Sequence, residues 1–170
     1  KIATIMTDFA PHDQWLVGND FTDYYFVAHE AMKEYLLSKD IPEEKVFATG
    51  IPISSRFTEK YDKKKLLEEF DLSSEKQTIL FFGGGEYGLG KTKTIDGNIQ
   101  VIAIAGKNPE MKENFENIVK KYNKSESIKV LSYTNKVPEL MNISDLVVTK
   151  PGGLTTSESL ACNLPMIIIN

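Results

Sequence analysis

The chain of 170 residues has a net charge of −4, with 41% hydrophobic and 26% charged residues, which is the balance of a folded globular protein. The mildly acidic charge excludes a global positive field of the kind that binds nucleic acid, so no nucleic-acid partner is expected. Cys162 is the only cysteine, which excludes an internal disulfide and a cysteine-built zinc site and fits a reducing cytoplasm.

Short apolar runs alternate with segments of helical periodicity along the whole chain. This alternation predicts an α/β fold with a mainly parallel sheet. We predict strands at Ile2–Met6, Tyr24–Val27, Val46–Thr49, Thr78–Phe82, Gln100–Ala105, Ile128–Leu131, Leu146–Thr149 and Met166–Ile169. We predict helices at about Glu30–Ser38, Lys63–Phe70, Pro109–Tyr122, Val137–Met141 and Thr155–Ala161.

A domain boundary is predicted at Gly50–Phe57, where glycine, proline and serine follow a strand and a lysine-rich helical run comes next. Both ends of the chain fall in or beside strand-like runs, so we expect each lobe of the fold to be incomplete. Between the strands that end at Phe82 and begin at Gln100 there is little room for a crossover helix. Either these strands are not neighbours or residues are absent after Thr94, and we favour the second.

A phosphate-loop pattern, G-x-x-x-x-G-K-[ST], occurs at Gly85–Thr92 after a strand and taken alone predicts an NTPase. That chemistry needs a helix directly after the loop, yet Thr94–Asn98 reads as a turn. It also needs a magnesium-organising aspartate at the end of an apolar strand, whereas Asp145 stands at the start of one. The NTPase stays as an alternative.

A stronger site pattern runs from an apolar strand through a glycine turn into a helix, ending at Glu158. Gly152 and Gly153 allow close approach of the backbone to a ligand, and Thr155 or Thr156 can cap the helix. The free amides of the first turn suit a diphosphate, and Glu158 suits the vicinal hydroxyls of a ribose. An ordinary capping box from Thr155 to Glu158 explains the same spacing without a ligand.

An ordered set of motifs along the chain decides between these interpretations. The motifs are Thr7-Asp8-Phe9 with His12 and Trp15, Tyr25-Phe26-Val27, Gly50–Ile53, Gly83–Gly85, Ala105–Asn108 and Thr149–Thr155. Together they resemble the inverting GT-B glycosyltransferases of the monogalactosyldiacylglycerol synthase and processive diacylglycerol glucosyltransferase type. The resemblance implies two Rossmann-like lobes with parallel sheets. Residues 1–53 would be the end of the acceptor lobe and 54–170 most of the nucleotide-sugar lobe.

The resemblance also implies a reaction and a site. The reaction is transfer of a hexose, with inversion, from UDP-glucose or UDP-galactose to diacylglycerol, at the inner face of the cell membrane on the cytoplasmic side. The implied nucleotide-sugar site comprises Gly83, Gly84, Gly85, Asn108, Thr134, Gly152, Gly153, Leu154, Thr155, Thr156 and Glu158, with Arg56 as a phosphate contact. Asn108 and Thr134 would line the uracil pocket, and Glu158 would hold the ribose.

The acceptor side is less complete in this chain. His12 and Asp8 follow the first strand and are the candidate catalytic residues, although the base proper can lie in a part that the sequence lacks. The family's N-terminal glycine-rich loop with its histidine is absent, as is the segment after residue 170, so we expect the piece to be inactive alone. Ser54 stands where relatives often place an arginine.

Cofactor requirements follow from the same site. Amides near Gly152–Thr155 can stabilise a departing diphosphate without a metal, so no metal and no cofactor besides the UDP-sugar donor are predicted. A noncatalytic nucleotide-binding module is the third alternative.

Overall fold

The computed structural model describes residues 1–83 and 97–169. The chain divides into two compact units, Lys1–Ser54 with Gly152–Ser157 and Ser55–Pro151 with Glu158–Asn170. The assignment of residues 1–53 to an acceptor lobe and 54–170 to a donor lobe is a statement about function and stays a prediction.

The first unit contains a three-stranded parallel sheet. Its strands are β1 (Ala3–Ile5), β2 (Tyr24–Val27) and β3 (Val46–Ala48), in that spatial order. Helix α1 (Glu30–Leu37) connects β2 to β3 and buries Met32 and Leu36 against the sheet. Short 3-10 turns lie at Asp13–Leu16, Asn19–Phe21 and Glu43–Lys45.

The second unit contains a five-stranded parallel sheet in the order β6-β5-β4-β7-β8. The strands are β4 (Gln77–Phe82), β5 (Ile99–Ile104), β6 (Ile128–Leu131), β7 (Leu146–Thr149) and β8 (Met166–Ile168). The helices are α2 (Lys63–Glu69), α3 (Pro109–Lys121), α4 (Val137–Ile143) and α5 (Gly153–Ala161), the last of which contains residues of both units. A 3-10 turn at Ser55–Thr58 precedes α2.

The core of the second sheet lies in its middle strands. Leu80 of β4 and Ile102 of β5 are completely buried. These strands read as continuous apolar runs because a parallel sheet is covered on both faces. Phe115 and Val119, one turn apart on α3, pack against β5, which confirms that the apolar stripe of this helix belongs to the core.

The α/β prediction is confirmed, and each predicted strand and helix is present with ends shifted by at most two residues. One shift affects the site. Helix α5 begins at Gly153, so Thr155 and Thr156 lie inside its first turn, and the prediction that either caps the helix is wrong. The Thr156 N–H donates instead to the Gly152 carbonyl at 3.1 Å, because the helix extends through the glycine pair.

The sheet also shows that β4 and β5 are neighbouring strands. The two strands pair directly and in parallel, from Gln77 opposite Ile99 to Phe82 opposite Ile104. The alternative that they are not neighbours is therefore excluded. The predicted absence of residues after Thr94 falls within residues 84–96, outside the described part of the chain.

Candidate functional site

The carboxyl ends of β4, β5 and β6 lie at one edge of the second sheet. Ligands of open parallel α/β sheets bind at this edge, in the loops that follow the strands. Three predicted site residues occupy these loops, namely Gly83 after β4, Asn108 after β5 and Thr134 after β6. The sheet therefore brings the loops that carry them to a common edge.

The start of α5 is the predicted binding site for the diphosphate. The first N–H groups of a helix have no acceptor within the helix, and the helix dipole makes this end partly positive. Leu154 is 46% exposed in this first turn. A phosphate or diphosphate placed there would accept hydrogen bonds from backbone amides, which needs no basic side chain.

The two glycines at this helix start have different environments. A Cβ on Gly152 would contact none of the described residues within 4 Å. A Cβ on Gly153 would lie 1.9 Å from the carbonyl oxygen of Thr7, which belongs to the same unit. Gly153 is therefore explained by the close approach of the Thr7 backbone. The open side of Gly152 is the part of the pair that leaves space for a ligand.

Glu158 is half-buried on the second turn of α5. Burial raises the pKa of its carboxyl group above the ordinary value. Burial also raises the pKa of the nearby Cys162 thiol, and the Glu158 carboxylate adds to that effect. A carboxylate that has lost part of its hydration gains from hydroxyl donors, which is the chemistry of a ribose-binding residue.

The side chains predicted for the uracil pocket are engaged locally. Asn108 caps α3, and its Oδ1 accepts hydrogen bonds from the N–H groups of Glu110 at 3.0 Å and Met111 at 3.2 Å. Thr134 Oγ1 accepts from the N–H of Lys136 at 3.1 Å. These bonds explain both residues without a ligand, and their place in a base pocket stays a prediction.

The glycine-rich segment after β4 is described only at its first residue. A Cβ on Gly83 would lie 2.4 Å from Cζ of Phe115 and 2.8 Å from Sδ of Met111, so a larger residue here would have to displace these side chains of α3. Gly84, Gly85 and the phosphate-loop pattern Gly85–Thr92 lie outside the described residues.

Asp145 has a structural role at the opposite edge of the sheet. Its Oδ2 accepts from the N–H of Thr78 at 2.8 Å, and its Oδ1 pairs with Lys63 Nζ at 3.1 Å. It stands directly before β7, where it stabilises the starts of two neighbouring strands. This placement does not match the magnesium aspartate of a phosphate-loop NTPase.

Arg56, the predicted phosphate contact, forms an ion pair. Its Nη2 donates to Oε1 of Glu139 at 2.7 Å, and its backbone carbonyl accepts from the Tyr61 hydroxyl at 3.0 Å. The Glu139 side chain is 15% exposed and that of Arg56 43%. Oε2 of Glu139 is buried and has no hydrogen-bond partner among residues 1–83 and 97–169. Glu139 therefore depends on Arg56 for compensation of its charge.

The predicted catalytic pair lies in the first unit, in the long loop after β1. Asp8 and His12 are both exposed, and the His12 carbonyl accepts from the N–H of Trp15 at 3.0 Å. The Phe9 carbonyl accepts a hydrogen bond from His29 Nε2 at 3.0 Å. The roles of His12 and Asp8 stay predictions.

Residues 1–83 and 97–169 contain neither a metal-binding cluster nor a membrane-spanning helix. Within these ranges, no group of three or more His, Cys, Asp or Glu side chains is placed to hold a metal ion. No helix in the described part of the chain has the length and apolar character needed to cross a membrane.

An exposed aromatic side chain at the carboxyl edge of the second sheet was not predicted from the sequence. Tyr133, directly beyond β6, is 63% exposed, and Nζ of Lys107 lies 4.9 Å from its ring centroid. The signal available in the sequence was an aromatic residue two positions after an apolar strand. Its exposure could be known only from the fold.

Comparison with known proteins identifies two family models. The "Glycosyl transferases group 1" model matches residues 39–170, and the monogalactosyldiacylglycerol (MGDG) synthase model matches residues 1–53. The first of these matches includes the segment with the phosphate-loop pattern, which favours a transferase over an NTPase.

Individual relatives agree with these models. The chain is 35% identical over 176 residues to a processive diacylglycerol beta-glucosyltransferase of Staphylococcus epidermidis, covering 99% of this chain and 44% of the relative. It is 34% identical over 170 residues to the Bacillus licheniformis protein of the same name, covering 96% of this chain and 43% of the relative. The chain thus spans less than half the length of the curated relatives it matches.

Solved structures share the fold at low identity. Anabaena HepE in complex with UDP-glucose has a TM-score of 0.64 and 14% identity, covering 98% of this chain and 52% of that one. UDP-GlcNAc 2-epimerase from Neisseria meningitidis has a TM-score of 0.71 and 16% identity, covering 96% of this chain and 49% of that one. The fold class is therefore confirmed as GT-B-like α/β with incomplete sheets, and by the match over residues 39–170 the chain belongs to the group 1 glycosyl transferases.

Proposed function

We propose that the protein is an inverting glycosyltransferase that transfers a hexose from a UDP-sugar to diacylglycerol. The observation that carries the proposal is the 35% identity, over 99% of the chain, to a processive diacylglycerol beta-glucosyltransferase. The structural likeness alone does not distinguish a transferase from an epimerase, because solved structures of both kinds match this fold.

The donor is proposed to be UDP-glucose, with UDP-galactose as the alternative. The curated relatives are named glucosyltransferases, whereas residues 1–53 match the model of a galactolipid synthase. A direct comparison of the two donors in one assay separates them.

The proposed mechanism uses the start of α5 and Glu158 for the donor. First-turn amides offset the charge that grows on the diphosphate as it leaves, and Glu158 accepts hydrogen bonds from the ribose hydroxyls. The acceptor oxygen forms a bond to the anomeric carbon on the face opposite UDP. The bond to UDP breaks, and its electron pair departs with the diphosphate. A base takes the acceptor's proton, and His12 and Asp8 are the proposed candidates.

Nucleotide binding is expected to be independent of metal. Calorimetric titration with UDP and with ATP, each with and without Mg²⁺, measures this directly. We expect UDP to bind equally well with EDTA present and more tightly than ATP, because backbone amides and a helix dipole supply the positive charge. Mg²⁺-dependent binding of ATP in preference to UDP would support the phosphate-loop alternative and contradict the transferase.

Catalysis separates the transferase from a noncatalytic nucleotide-binding module. Because the piece is expected to be inactive alone, the assay uses a full-length version of the protein. It supplies UDP-[¹⁴C]glucose or UDP-[¹⁴C]galactose with diacylglycerol in mixed micelles and measures label in the lipid fraction. The proposal predicts labelled glycolipid with the glucose donor and less with the galactose donor. UDP binding with no labelled lipid from either donor would support the module.

The proposed location is the cytoplasm, with peripheral attachment to the inner face of the cell membrane, where the lipid acceptor resides. Sedimentation with liposomes that contain diacylglycerol tests the attachment. Recovery of the protein in the supernatant at every lipid concentration would contradict it.

A further inference from the structure

Tyr133 is a large aromatic side chain held in an exposed position at the ligand-binding edge of the sheet. The residue is 63% exposed and lies two positions after the end of β6. The neighbouring strand β5 is in register with β6, with Ile104 opposite Leu131, so the loops after the two strands adjoin. An exposed aromatic ring in this place has no role in the core.

Lys107 restrains this ring. Its ammonium lies 4.9 Å from the ring centroid, within the range of a cation–π interaction. Gly106, the residue before it, has φ of +68°, a backbone conformation that other residues rarely adopt, so the turn that presents Lys107 is built into the chain. The contact with Lys107 favours one orientation of the ring.

The polar side chains beside Tyr133 have other partners. The Oδ1 atom of Asn108 and the Oγ1 atom of Thr134 both accept hydrogen bonds from nearby backbone N–H groups. A planar ligand group at this edge can thus pack on the exposed Tyr133 ring. Aromatic side chains stack on nucleobases through their faces, whichever base is present.

We propose that Tyr133, steadied by Lys107, is the platform on which the base of the donor nucleotide stacks. The proposal rests on the proposed function, because it assumes that the protein binds a UDP-sugar. It assigns base binding to a side chain that the sequence motifs do not include.

The first test measures the affinity of the purified protein for UDP and for pyrophosphate by calorimetry. We expect Tyr133→Leu to weaken UDP binding about tenfold and to leave pyrophosphate binding unchanged, since only UDP carries a base. Tyr133→Phe keeps the ring and is expected to bind UDP like the unsubstituted protein. Because Tyr133 is largely exposed, neither change is expected to impair folding.

A matched control uses Tyr122 at the end of α3, whose ring also lies near a lysine, with Lys121 Nζ 5.7 Å from its centroid. Helix α3 starts after the carboxyl end of β5, so its last residues lie toward the other edge of the sheet. Tyr122→Leu is expected to leave UDP affinity unchanged. Equal UDP affinity of Tyr133→Leu and the unsubstituted protein would overturn this inference alone, whereas no UDP binding by the unsubstituted protein would overturn the proposed function with it.

A spectroscopic test gives a second readout. Trp15 is the only tryptophan, so a protein with Trp15→Phe and Tyr133→Trp reports on position 133 alone. Stacking of a base on the indole is expected to quench its fluorescence on addition of UDP but not of pyrophosphate. Equal responses to the two ligands would contradict stacking.

Discussion

Replacement of Glu158 by alanine is expected to weaken UDP binding about 30-fold and to lower sugar transfer at least as much. Hydrogen bonds to a charged acceptor contribute about 1.5–3 kcal/mol each, and the loss of one such bond of about 2 kcal/mol corresponds to this factor. The carboxylate is half-buried, so the ribose hydroxyls compete with little water for it. Calorimetry with UDP measures the effect.

The matched control is Glu110→Ala. Glu110 also lies near the start of a helix that follows a strand, in the first turn of α3, but it is exposed. We expect its replacement to leave UDP affinity unchanged. Equal losses in the two variants would show that general negative charge near these loops, and not a ribose contact at Glu158, determines binding.

The pH dependence of UDP binding provides an independent test of Glu158. Burial raises its pKa, so the carboxylate becomes protonated at a higher pH than an ordinary glutamate. UDP affinity is therefore expected to fall, on acidification, at a pH above the usual glutamate range. In Glu158→Gln this titration should be absent.

The free energy of unfolding should depend on pH in the direction opposite to that of UDP affinity. A raised pKa means that the folded state favours the protonated group, so this contribution to stability is present at low pH and is lost as the pH rises through the raised pKa. The free energy of unfolding of the unsubstituted protein, relative to Glu158→Gln, should thus decrease over that interval. Denaturant titrations across it measure the difference.

The fold could be predicted from the sequence because its strands and helices have unmistakable patterns. The continuous apolar runs around Leu80 and Ile102 are typical of buried parallel strands, and the stripe on α3 has helical spacing. These signals are local. The order of the strands in the sheet also follows common rules for parallel connections.

Features set by distant contacts could not be predicted. Helix α5 begins at Gly153, and the residue that crowds this glycine is Thr7, near the other end of the chain. At position 83, a residue larger than glycine would have to displace Phe115 of α3. In both cases a glycine that suggests ligand binding in the sequence has a packing reason that only the structure reveals.

The orientation of the polar side chains predicted for the site also could not be predicted from the sequence. The sequence places Asn108 and Thr134 at the carboxyl edge of the sheet, and the structure confirms that position. The sequence does not tell whether their side chains face a ligand or the backbone. Helix capping by Asn108 is as common a use of that residue as ligand binding. The exposed ring of Tyr133 could be recognised only once the strands were placed.

Replacement of Arg56 by alanine is expected to lower the free energy of unfolding, because it leaves the largely buried Glu139 carboxylate without its ion-pair partner. The Glu139 side chain is 15% exposed, and its Oε2 has no hydrogen-bond partner in the described part of the chain. The loss of the bond from Arg56 therefore leaves both carboxylate oxygens poorly solvated. Urea denaturation measures the effect.

Lys63→Ala is the control for this experiment. Lys63 also forms an ion pair within the second unit, with Asp145, but these side chains are 50% and 41% exposed. Asp145 keeps its bond from the N–H of Thr78 when Lys63 is removed. We therefore expect a loss of no more than about 1 kcal/mol. A larger loss than in Arg56→Ala would contradict the role given to Glu139.

A double variant, Arg56→Met with Glu139→Leu, then separates the two roles proposed for Arg56. Replacing both members of a poorly solvated ion pair by apolar groups removes the uncompensated charge, so most of the lost stability should return. If Arg56 serves mainly to hold the Ser55–Thr58 turn to α4, the double variant should also bind UDP as the unsubstituted protein does. Restored stability with weakened UDP binding would instead establish Arg56 as a contact of the diphosphate.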